Sequence, residues 1–84
     1  MNKDQNAAAN IWATLNGKLQ SLLSMDKVRT REQNQVLYKE LVAISYQDRI
    51  KFIEQHYGKN YLNKAMPILA QMNAIEQALH AKAD

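Results

Sequence analysis

The sequence predicts an all-α fold, a compact four-helix domain spanning residues 1–84. Three observations carry that expectation. Apolar residues recur at helical spacing over two long stretches. Two glycines and a single proline leave few places where the chain is forced to turn, whereas a sheet with tight hairpins needs many. Thr30 and Ser45 each stand where a helix N-cap is wanted, just ahead of an apolar-periodic segment.

The first helix is expected at about 4–24. At 100° per residue Ala8, Ile11, Trp12, Leu15, Leu19, Leu22 and Leu23 fall within an arc of about 120°. Gly17 sits mid-helix at a cost of about 1 kcal/mol relative to alanine, which the apolar face outweighs. Met25 to Arg29 reads as a connection. Thr30 then precedes Gln33 by three residues, the spacing of a capping box, and opens a second helix at 31–44 with a Leu37, Leu41, Ile44 stripe.

A phase jump follows. In one straight helix Tyr46, Ile50, Ile53 and Tyr57 would point about 180° away from Leu37, Leu41 and Ile44. Asp48 would fall in the middle of the earlier stripe. Ser45 and Asp48 also suit the start of a helix, as cap and as first-turn acid. The chain is therefore expected to break at Ser45, giving a third helix at 46–57 closed by Gly58.

The last helix is expected at about 61–82, with Tyr61, Ala65, Ile68, Met72, Ile75 and Leu79 on its inner stripe. Leu62, Met66 and Leu69 widen that face. Pro67 favours a start near Asn63, which places the missing N–H in or just past the first turn. The two middle helices measure about 21 and 18 Å, against about 30 Å for twenty residues. They are too short to line the outer pair in full, so an irregular or orthogonal packing is expected.

Composition narrows function by exclusion. With no cysteine there is neither disulfide nor thiolate metal site. No metal or other cofactor is expected. Glu76 and His80 stand at i, i+4, but without further ligands they read as an exposed pair on one helix face. Gly17 and Gly58 are isolated, so there is no phosphate-cradling loop. The eight carboxylates are dispersed. A catalytic role is not expected. The segment Met1 to Asn10 has no apolar run of signal-peptide length, and no window approaches a membrane span. A cytoplasmic protein without membrane contact is the expectation.

Binding remains. Sixteen Asn and Gln residues supply much of the polar surface, and uncharged amides are cheaper to desolvate than charges. The favoured expectation is a small protein-binding regulator, adaptor or inhibitor that docks a helical face. Tyr38, Leu62 and Met66 are its candidate contacts, because they lie at the edges of their stripes. A homodimer is a further expected form, since a core this small gains from association. The alternative is a nucleic-acid-associated protein. Lys27, Arg29 and Arg31 place three cations in five residues, and Arg49, Lys51, Lys59 and Lys64 would extend the patch. The net charge of +3 is modest for that role. A structural subunit of a larger assembly is the third reading.

Overall fold

A computed structural model describes residues 3–83, and the side chains of residues 6–80. Four helices follow one another: α1 (Lys3–Ser24), α2 (Arg31–Ala43), α3 (Tyr46–Tyr57) and α4 (Lys59–Ala83). The described residues form an all-α body of 42 × 21 × 19 Å.

Local chemistry sets the helix ends. Thr30 caps α2 through a complete capping box: its Oγ1 accepts from the Gln33 amide at 3.1 Å, and Gln33 Oε1 accepts from the Thr30 amide at 2.9 Å. The phase jump is a real break. Ile44 and Ser45 are extended, and Ser45 Oγ accepts from the Asp48 amide. Gly58, at φ 95°, ends α3, and its amide donates to the Ile53 and Glu54 carbonyls. An L residue at that angle is strained.

The start of α4 differs from the expectation. The helix begins at Lys59, directly after Gly58, and runs through Pro67. Pro67 and Asn63, one turn before it, are both exposed. The Asn63 carbonyl that loses its usual partner therefore reaches water. Packing of Leu62 and Ala65 in the core holds the first turns in place.

Side-chain links show the helix directions. Asn34 donates to the Leu23 carbonyl and Tyr38 to Asn16, so α2 returns along α1. Tyr57 donates to Asn34, while Arg49 donates to the Leu41 and Val42 carbonyls, so α3 returns along α2. Arg49 pairs with Glu76, and the rings of Tyr57 and Tyr61 lie 6.2 Å apart, so α4 returns along α3. Trp12 Nε1 donates to Glu76 Oε2 at 2.8 Å and sets α4 antiparallel to α1.

The packing is unequal. Helix α4 lies along both α1 and α3, and α2 touches its neighbours more sparingly. Leu19, Leu23, Leu41, Ile53, Leu69 and Met72 form the fully buried centre. Ile11 falls on the apolar arc of α1 yet is exposed.

Candidate functional site

The connection between α1 and α2 is only six residues, Met25 to Thr30, and three of them are fastened. Asp26 Oδ1 accepts from the Val28 amide at 3.1 Å, and Oδ2 accepts from Arg29 Nη1 at 3.1 Å. The Arg29 guanidinium reaches across to donate to the His56 carbonyl and lies 4.6 Å from the centre of the Tyr57 ring. It thereby satisfies a carbonyl in the last turn of α3, where positive charge also complements the helix dipole. Thr30 is fixed by its capping box.

The fastened backbone leaves two apolar side chains outside, next to Lys27. Val28 is 85% exposed and Met25 is 63% exposed. Beside them a groove of about 690 Å³ opens between the end of α1 and α2. One bank carries Gln20, Ser24 and Lys27; the other carries Arg31, Gln35 and Lys39. Leu23, Asn34 and Tyr38 lie beneath. Asp26 is the one carboxylate among the lining residues, and Arg29 already neutralises it.

The expected contacts are distributed differently from the sequence reading. Tyr38 and Leu62 are buried, at 9% and 8% exposure, and belong to the core. Tyr38 nevertheless lines the groove with its edge. The inner stripe of α4 is rotated toward Leu62 and Leu69, which leaves Tyr61, Ile68, Ile75 and Leu79 only half-buried. Met66 is half-buried against the core. Of the three clustered cations, Lys27 and Arg31 are exposed, and Arg29 is held in internal contacts. Lys51, Lys59 and Lys64 are exposed. Lys39, which the sequence reading passed over, joins Lys27 and Arg31 at the groove.

Arg49 is not a surface cation at all. It is 4% exposed and donates to the Leu41 carbonyl (3.2 Å), the Val42 carbonyl (3.0 Å) and Glu76 Oε2 (2.9 Å). Glu76 accepts from Arg49 and Trp12 rather than standing as an exposed partner of His80. One polar cluster thus ties all four helices. Among the described residues no buried side-chain nitrogen or oxygen lacks a partner, as buried polar networks require.

Two phenols titrate abnormally. Burial raises the Tyr38 hydroxyl above its ordinary value, against a smaller opposing pull from Arg49. Burial likewise raises Tyr57, and nearby Arg29 offsets part of the rise. Among the described residues no group of three His, Cys, Asp or Glu side chains is placed to hold a metal ion. No helix there is long and apolar enough to cross a membrane. No protein-family model matches the chain, no curated protein matches it in sequence, and no solved structure matches its fold.

Proposed function

We propose that this chain is a non-catalytic protein-binding module, a small regulator or adaptor, that docks its partner at the α1–α2 end. The observation that supports this most is the pairing of a fastened loop with outward apolar side chains. Val28 and Met25 contribute little to the core, yet Asp26, Arg29 and Thr30 hold the backbone between and around them. A surface stiffened before binding loses less entropy when a partner covers it. The proposed docking surface lies at the α1–α2 end rather than on the helical face expected from the sequence, since Leu62 and most of Tyr38 pack in the core.

Capture from source-cell lysate tests the reading, with tagged wild type and Val28→Asp compared in nuclease-treated and untreated halves. The expected result is a discrete protein that survives nuclease, is retained by wild type and is lost by Val28→Asp. Equal retention by both proteins would overturn it. A second reading, nucleic-acid association, draws support from the exposed Lys27, Arg31 and Lys39 at one groove. Recovery that disappears with nuclease would favour that reading.

A further inference from the structure

We infer that the groove beside the loop is the recognition site for an acidic, aliphatic-containing peptide segment of the partner, held extended between two polar rows. The inference rests on the reading of this end as a protein-docking surface and names the chemistry of what docks.

The rows follow from helix geometry. Arg31, Gln35 and Lys39 stand at i, i+4 and i+8, so they form one ridge along α2. Its cationic ends are about 12 Å apart along the axis at 1.5 Å per residue. Gln20 and Ser24 form the matching ridge at the end of α1, and Lys27 continues it into the loop. The two ridges face each other across the groove. Lys27, Arg31 and Lys39 make no ion pair among the described residues, where Arg29–Asp26 and Arg49–Glu76 are the pairs formed. The groove therefore carries unneutralised positive charge at both ends of one bank, with amides between to satisfy a peptide backbone.

A span of about 12 Å corresponds to about four residues of extended chain. The complementary ligand has two carboxylates about four residues apart and an aliphatic side chain placed to cover Val28 or Met25. Nucleic acid fits the same surface less well. The aromatic residue lining the groove, Tyr38, is buried beneath it, so no ring stands free to stack on a base. The loop offers aliphatic contacts instead.

Random dodecapeptides displayed on phage, selected on the immobilised full chain, provide the test. Winning peptides are then measured in solution against wild type, Arg31→Glu/Lys39→Glu and Val28→Asp, each checked for an unchanged melting curve. Enrichment of paired acids flanked by Leu, Ile or Val is expected. Affinity should fall at least about tenfold in the charge-reversed variant and weaken as salt rises from about 50 to 200 mM. Winners without acidic residues, lost in Val28→Asp but unaffected by charge reversal, would overturn this inference and leave the docking reading standing. No enrichment on wild type would overturn both. Random single-stranded or duplex oligonucleotides bound more tightly than any selected peptide would also overturn the inference.

Discussion

The two ends of the bundle use the same device for different purposes. At each, an arginine from elsewhere in the chain donates to carbonyls in the last turn of a helix: Arg49 to Leu41 and Val42 of α2, Arg29 to His56 of α3. Neither helix end has enough partners of its own. The difference lies in what balances the charge. Arg49 is neutralised by Glu76 from α4, which also receives Trp12 from α1, so that end is closed by all four helices. Arg29 is neutralised by Asp26, three residues earlier in its own loop. No further helix is drawn in, and the ground beside the loop stays open as a groove. A capping arginine paired across the fold builds interior. One paired locally builds a stiff, accessible edge.

The comparison predicts unequal costs. Arg49→Met removes one partner of a mostly buried pair and should cost about 3 kcal/mol. In a chain of this size that lowers Tm by at least about 12 °C, readable by circular dichroism. Adding Glu76→Leu should recover part of the loss, because the orphaned carboxylate goes with it. A double variant as unstable as the sum of both singles would break the claim that the pair acts as a unit. Arg29→Ala should cost less, about 1–2 kcal/mol for a charged hydrogen bond to His56, a local ion pair with Asp26 and a ring contact. If it matched Arg49→Met, the two ends would not differ in the way described.

Alkaline pH gives an intermediate effect. Tyr38 and Tyr57 are held neutral in the fold, above the ordinary phenol value of about 10. The unfolded chain ionises first as pH rises, so their contribution is complete below about pH 10 and is lost above it. Tyr38→Phe should flatten this loss more than Tyr57→Phe, since the Tyr38 shift is the larger. An unchanged alkaline slope in Tyr38→Phe would show that another group dominates. The smallest expected effect is Val28→Asp, within about ±0.5 kcal/mol of wild type as for an ordinary surface change. A large loss there would mean that Val28 serves the fold and not a partner.

Much of the architecture was legible in the sequence. The phase jump in the apolar pattern between Ile44 and Tyr46, coinciding with a Ser45 cap, located the break between α2 and α3. Thr30 and Gly58 marked their helix ends by side-chain and backbone chemistry that needs no tertiary partner. The start of α4 was hidden because Pro67 normally argues for a nearby helix start. Here it lies on the exposed face, where water takes the freed carbonyl.

The polar cluster had a signal that could have been used. Arg49 stands at four-residue spacing ahead of Ile53 and Tyr57, and Glu76 falls inside the arc of Leu62, Ala65, Leu69 and Met72. Two opposite charges intruding on two core stripes call for each other. The groove had no such signal. Its rows at Gln20–Ser24 and Arg31–Gln35–Lys39 meet only through the packing of α2 on α1, and loop exposure at Met25 and Val28 has no periodicity to read.

The most direct test of the stiff-edge account is the backbone ¹⁵N order parameter of residues 25–30 in the free protein. The account predicts values near about 0.85, as in the helices, falling in Arg29→Ala. Values below about 0.6 in wild type would contradict it, because Met25 and Val28 would then sit on a mobile loop rather than on a surface built before its partner arrives.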